Sequence, residues 1–231
     1  MNYDYLQKNF HSFISSVGEA CNSCNRKAED VKIVAVSKTF PPEQILEVHK
    51  LGQIEFGENK VQELKSKHDE LVNENIDWHL VGHLQTNKVK YIVDFVKLIH
   101  SVDSFKLASE INRQASLINR TIDVLIQVNT SFEEQKSGCE VSEAKNLCKE
   151  ISLLECINIK GLMTIGMFTD DIKIIRENFV TLRRLFDDLK ESHTGFKFLS
   201  MGMTSDYKIA IEEGSNMIRV GSAIFGYRNY L

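Results

Sequence analysis

Val31-Lys32-Ile33-Val34-Ala35-Val36-Ser37-Lys38 is an apolar run rich in valine and isoleucine, and it ends on a lysine. It lacks the alternation of a half-exposed strand and reads as a strand buried on both faces. Seven more short runs carry the same signal, at 54–57, 78–82, 98–102, 124–128, 159–165, 198–201 and 217–220; with 33–38 they make eight candidate strands. Helical patterns lie between them. After Asn59, apolar residues recur at Val61, Leu64, Leu71 and Val72, and after Ser104 at Leu107, Ala108, Ile111 and Ala115. Ile175, Phe179, Leu182, Leu185, Phe186 and Leu189 mark what reads as the longest helix. Asn59, Thr86, Ser104 and Thr204 or Ser205 stand where N-caps belong, and Gly52 and Gly214 where helices stop. Eight β units alternating with helices predict a parallel sheet. At this length the closed solution is a single (β/α)8 TIM barrel, of class α/β. Residues 1–30 form a helical extension before it, with the helix near 5–28, and residues 31–231 form the barrel. An open doubly wound sheet is the alternative, but no GxGxxG follows the first strand.

Composition narrows the function. The chain has 231 residues, 42% hydrophobic and 26% charged, with a net charge of −4, which suits one large core. No basic cluster stands out, which argues against a nucleic-acid partner. No signal peptide and no bilayer-length apolar stretch are visible, so the expectation is a cytoplasmic protein with no membrane association. Two prolines, Pro41 and Pro42, and no Gly/Ser-rich tract leave no visible linker. Five cysteines fit reduced thiols. Cys21 and Cys24 form a CxxC with no second pair to complete a zinc site, so they read as two thiols on a surface helix. His79 and His83 lie roughly 13 Å apart along a strand, too far to share a metal. No metal is expected: His79 reads as a core histidine with a hydrogen bond, and His83, past the strand end, as facing the site.

Lys38 carries the chemistry. An amine at the end of a doubly buried strand has its stem among apolar side chains, and desolvation there favours the neutral, nucleophilic form. Such an amine forms imines with aldehydes and ketones. In a barrel the active face lies at the strand C-termini, with phosphate often held after strands seven and eight. There the sequence reads Ser200-Met201-Gly202-Met203-Thr204-Ser205-Asp206 and Arg219-Val220-Gly221-Ser222-Ala223. Each junction offers a glycine for close approach, hydroxyls, and a helix start that favours an anion. Arg219, inside an apolar strand, requires an acceptor: Glu212 or Glu213, or an atom of a ring cofactor. Asn59 reads as an N-cap that could also touch ligand, and Met163 as core by composition. Two ligand classes fit, pyridoxal phosphate or a phosphosugar held by an aldolase-type lysine.

Several motifs resemble the pyridoxal phosphate homeostasis protein family. They are Ala35-Val36-Ser37-Lys38, Phe56-Gly57-Glu58-Asn59, Trp78 through Lys88, His100-Ser101-Val102-Asp103, Lys136-Ser137-Gly138, Gly161-Leu162-Met163-Thr164, Ser200-Met201-Gly202-Met203 and Ile218 through Gly226. The resemblance implies a barrel similar to the N-terminal domain of alanine racemase, with pyridoxal 5'-phosphate as a covalent imine on Lys38. It implies phosphate near Ser200, Gly202, Met203, Thr204, Gly221 and Ser222, Arg219 near the pyridine nitrogen, and Asn59, His83 and Met163 around the ring. Cys139, where a larger apolar or aromatic residue is expected, and the Cys21/Cys24 pair depart from the family pattern. It further implies cofactor storage and supply in vitamin B6 and amino-acid balance without robust catalysis, with apo PLP-dependent enzymes as recipients. A single barrel can stand alone and no interface stripe is visible, so a monomer is expected. An arginine cannot hold a proton on the pyridine nitrogen as a carboxylate does, which weakens electron-sink chemistry. The alternative is a racemase or lyase of the alanine racemase type. Alanine racemase, by the same resemblance, tolerates such an arginine but takes a catalytic tyrosine from a second domain, and these 231 residues read as having no such domain.

Overall fold

A computed structural model describes residues 3–131, 133 and 137–226. Strands β1 (Lys32–Val36), β2 (Glu55–Glu58), β3 (Asp77–Leu80), β4 (Leu98–Val102), β5 (Ile122–Asn129), β7 (Ile157–Met163), β8 (Phe198–Ser200) and β9 (Met217–Val220) pair in parallel. β1 pairs with β9 as well as β2, and β4 pairs with β5, so these eight close into a ring. The two-residue β6 (Cys139–Glu140) adds to the end of β5 through Val128 and Asn129. This is the closed parallel barrel that both-face burial predicts.

Parity along the strands sorts the side chains. Val34, Val36, Val81, Leu98, Leu125, Met163 and Met217 pack together inside the barrel, with Phe198 against them. The alternate residues, among them Ala35, Phe56, Ile99, Leu162 and Ile218, join the larger core between barrel and helices. Those helices are α2 (Pro42–Lys50), α3 (Val61–Glu70), α4 (Phe105–Leu117), α5 (Ala144–Ile151), α6 (Ile172–Lys190), α7 (Tyr207–Glu212) and α8 (Ser222–Phe225). Between β3 and β4 the crossover is a 3-10 segment, Thr86–Tyr91, rather than an α-helix.

The helix before the barrel, α1 (Asp4–Ser23), is the longest described, at 20 residues against 19 for α6, which corrects the sequence expectation. Its buried residues Leu6, Phe10, Phe13, Val17 and Cys21 recur at helical spacing. They seat α1 on α7 and α8: Phe13 meets the Tyr207 ring edge-on at 5.2 Å, and Tyr207 Oη donates to Ser16 Oγ at 2.9 Å. Cys21 is therefore core rather than surface, and burial raises its thiol pKa; Cys24 donates to the Ala20 and Cys21 carbonyls.

Ser104 caps α4, accepting from Leu107 N–H at 3.4 Å, as its position predicts. The other expected caps do not form. Lys60, not Asn59, precedes α3, Gln85 precedes Thr86, and Asp206 precedes α7. Gly52 and Gly214, at φ +100° and +94°, do end α2 and α7. Among the described residues no helix is long and apolar enough to cross a membrane.

Candidate functional site

The C-terminal ends of the strands surround a cavity of about 900 Å³. β1 contributes Val36 to it, and the turn that follows contributes Lys38 and Phe40. Asn59 enters after β2, and Val81, Gly82 and His83 enter after β3. The β7 side supplies Ile165, the β8 turn Met203, Thr204 and Ser205, and β9 its own Arg219 followed by Gly221 and Ser222. Lys38, Asn59, His83, Met203, Thr204, Arg219, Gly221 and Ser222, singled out from sequence, thus share one cavity. Met163, Ser200 and Gly202 do not line it. Met163 is fully buried in the barrel interior beneath, Ser200 is fully buried beside Arg219, and Gly202 faces α7, where an added Cβ would meet Ala210 Cβ at 2.6 Å. Lys136, from the expected Lys136-Ser137-Gly138 motif, lies outside the described residues.

β1 ends at Val36, two residues short of Lys38. Lys38 therefore stands on a turn, yet it keeps the inward parity of Val34 and Val36. It is half-buried, between the buried Ser37 and the exposed Thr39. Thr39 has φ +71°, a strained value for a β-branched residue.

Arg219 is buried at 4% exposure and heads a chain of polar groups inside the barrel. Its guanidinium donates to Ser200 Oγ at 2.6 Å and to the Thr164 carbonyl at 2.7 Å. Ser200 Oγ lies 3.3 Å from His100 Nδ1, and His100 Nε2 lies 2.9 Å from His79 Nδ1. With the Ser200 hydroxyl donating to His100 Nδ1, His100 Nε2–H donates to His79 Nδ1. This assignment needs both rings neutral, and burial supports it: it lowers His79 to about 3 and His100 well below the ordinary range. Burial also lowers Arg219 to about 10, against the opposing pull of Asp206, so the guanidinium stays charged at neutral pH. Glu212 and Glu213, the partners considered for Arg219 from sequence, bind Arg176 instead.

The β8 and β9 turns, on the two strands that succeed β1 around the ring, are built by close contact. A Cβ on Gly221 would come within 2.9 Å of the Val36 carbonyl, so only glycine lets the β9 turn lie against the end of β1. In the β8 turn, Asp206 accepts the Met203 N–H, and burial raises its carboxyl pKa. α7 and α8 are only six and four residues long. The anion-binding character expected of helix starts therefore has to come from turn amides and hydroxyls.

Sequence reasoning assigned no site role to Phe40, Ile165, Lys67 or His100, the last quoted only within a family motif. His100 had a signal: it is a bulky polar residue two places after the inward-facing Leu98, in a fully buried strand whose only other polar member is Ser101. Among the described residues no group of three or more His, Cys, Asp or Glu side chains could hold a metal ion.

Comparison with known proteins identifies the family and the fold. Residues 17–229 match the family model of the alanine racemase N-terminal domain. A pyridoxal phosphate homeostasis protein of Aquifex aeolicus is 40% identical over 218 residues, 94% of this chain and 96% of that one. A structure of an unknown protein from Bifidobacterium adolescentis is 34% identical, with TM-score 0.93 and 97% of both chains covered. The structure of PipY from Synechococcus elongatus with PLP bound is 32% identical, with TM-score 0.79, covering 91% of this chain and 100% of that one.

Proposed function

This chain belongs to the alanine racemase N-terminal domain family and, with its curated relatives, to the pyridoxal phosphate homeostasis proteins, and from that premise we propose that it holds pyridoxal 5'-phosphate on Lys38 and acts in the cell's supply of that cofactor. The observation that carries the reading is one cavity lined by an amine, a charged arginine and two hydroxyl-bearing turns.

Lys38 would hold the cofactor, its amine being the group able to condense with the aldehyde with release of one water. Thr204, Ser205 and Ser222, with the amides of both turns, hold the phosphate, and Gly221 permits its close approach. Gly202 and Ser200 support those turns from behind. Arg219 would donate toward the pyridine nitrogen, Asn59 and His83 would border the ring, and Met163 would support it from the barrel interior. The cofactor's own chemistry is to stabilise carbanions, most strongly when its ring nitrogen is protonated. Arg219 remains charged and has no lone pair to share that proton, which favours storage and delivery over turnover. We infer a cytoplasmic monomer whose recipients are apo-enzymes that use the same cofactor.

Absorbance spectra before and after borohydride reduction, with mapping of the modified peptide, test the assignment. Modification of Lys38, and loss of the imine band in a folded Lys38→Ala variant, are expected. An imine band that survives in that variant moves the attachment elsewhere, and a colourless wild-type protein ends the reading. Incubating the loaded protein with a panel of amino acids, and separately with a cofactor-free enzyme, addresses catalysis. Transfer without turnover is expected, and steady turnover would favour a racemase or lyase.

A further inference from the structure

Behind the Lys38 turn, in the layer between the barrel and α3, lies a buried lysine that binds the chain carrying Lys38. Lys67 is 4% exposed, and lysine is almost never this buried unless paired. An ammonium has three N–H donors, and three oxygens receive them: the Ser37 carbonyl at 2.8 Å, Glu58 Oε1 at 2.6 Å and Glu63 Oε1 at 2.7 Å. Each acceptor leads back to the turn. Ser37 Oγ donates to the same Glu58 oxygen at 2.7 Å, and the Thr39 N–H donates to the same Glu63 oxygen. Ser37 N–H binds the Gly57 carbonyl at 3.0 Å, and the Ser37 carbonyl also accepts from Phe40 N–H at 3.0 Å. The residues on both sides of Lys38 are thus tied down by side chains of β2 and α3.

A buried lysine between two carboxylates is a poor way to gain stability, because desolvating the charges offsets their attraction. Well-packed leucines would hold α3 as well. What leucines would not do is bind the main chain at Ser37 and Thr39. We propose that Lys67, acting through the Ser37 carbonyl, Glu58 and Glu63, is the positioning residue that holds the Lys38 turn, so that the Lys38 amine enters the cavity already aimed at an incoming aldehyde. The strained φ of Thr39 fits a turn held by its surroundings rather than by its own preference. This inference rests on the cofactor reading above and adds a residue to it.

Three variants test it: Lys67→Met, Glu63→Ala, which removes a half-buried partner and is the milder change, and Lys65→Met as a control on the exposed face of the same helix. Three measurements apply: the rate at which the imine band rises on mixing with pyridoxal 5'-phosphate, affinity for pyridoxine 5'-phosphate, which keeps ring and phosphate but has no aldehyde, and amide exchange of the peptide spanning 37–40 in cofactor-free protein. Both network variants should slow imine formation about tenfold or more while pyridoxine 5'-phosphate affinity stays within about twofold. They should also speed exchange at 37–40, and Lys65→Met should match wild type throughout. Imine rates equal to wild type in folded Glu63→Ala and Lys67→Met would overturn the positioning role. Should Lys67→Met fail to fold, Glu63→Ala alone decides by the same criterion. If wild type itself forms no imine, the cofactor reading fails instead. The clamp is then judged by exchange, and unchanged exchange at 37–40 in the network variants would overturn it too.

Discussion

Two buried polar networks flank the cavity, one on each side of the barrel wall, and they deal with burial in opposite ways. Outside the wall, Lys67, Glu58 and Glu63 meet as charges. Inside it, Arg219, Ser200, His100 and His79 form a chain with one charge at its head and neutral rings behind. The outer network can stay ionic because its donor is fully used and one carboxylate, Glu63, still reaches solvent at 23% exposure. The inner network has no solvent-facing member among its histidines, so desolvation removes their charge. Ionic bonds suit holding a backbone turn, whereas a neutral relay suits orienting one guanidinium without adding a competing charge near it.

The largest expected effect is on the outer network. Lys67→Ala leaves Glu58 and Glu63 facing each other without their cation, and should cost about 3–5 kcal/mol in urea unfolding. A loss below about 1 kcal/mol would mean that the pair is screened like a surface bridge. Glu58 Oε2 is already the one buried side-chain oxygen or nitrogen among the described residues without a hydrogen-bond partner, so this network has no spare donor to lose.

Acid should separate the two networks. His79 titrates near 6.5 when unfolded and is lowered to about 3 in the fold, chiefly by burial, and burial likewise lowers His100 well below the ordinary range. Between those values the unfolded chain binds protons that the folded chain refuses. The stability contributed by the neutral rings is therefore complete above pH 6.5 and is lost as pH falls toward 3, by an amount on the order of a few kcal/mol. Glu58 acts the other way. Burial outweighs Lys67 and raises its carboxyl above the ordinary value of 4.5, so acidification through that window favours the fold. For Glu63, burial also raises, but the bonds from Lys67 and Thr39 prevail and its carboxyl ends lower. Unfolding free energy measured from pH 7 to pH 4 should fall in wild type and fall less steeply in a His79→Leu/His100→Leu double variant. Parallel curves would show that the inner pair does not set acid sensitivity. Single His100→Leu at neutral pH leaves Ser200 and His79 without their partner and should cost about 1–3 kcal/mol.

The barrel itself was legible because a strand buried on both faces has to be apolar throughout. All eight ring strands were found within about two residues at most ends, an error expected of boundaries. β6 was not found, since Cys139-Glu140 is too short to show any pattern. α1 was seen but carried too far, to residue 28 rather than Ser23, and it was not recognised as the longest helix because Leu6, Phe10, Phe13 and Val17 are diluted by polar residues on its outer face. The cavity residues were found through chemistry out of place: a lysine ending an apolar strand, an arginine inside one, hydroxyls and glycines at the last two strand ends. Depth was not legible. Met163, Ser200 and Gly202 lie one layer behind the lining, and residue type does not distinguish a side chain that reaches the cavity from one that supports its wall. Lys67 was invisible for a related reason: in Lys60-Val61-Gln62-Glu63-Leu64-Lys65-Ser66-Lys67 it reads as one more exposed cation of an amphipathic helix. Only the return of α3 against the β1 turn buries it.

The smallest effect sharpens the contrast between holding a turn and stabilising a fold. Thr39 adopts φ +71°, where a β-branched side chain is strained and glycine is not. Thr39→Gly keeps the N–H that Glu63 accepts, so the outer network remains intact. Removing the strain helps the folded state, and the added freedom of glycine helps the unfolded one, each by about 1 kcal/mol or a little more. These terms oppose each other, so urea unfolding should move by less than about 1 kcal/mol. If the ionic network, not the residue's own conformational preference, holds the turn, amide exchange at 37–40 should also stay close to wild type in Thr39→Gly while it rises in Glu63→Ala. Exchange rising equally in both would assign the stiffness of the Lys38 turn to the threonine backbone, leaving the outer network to stability alone.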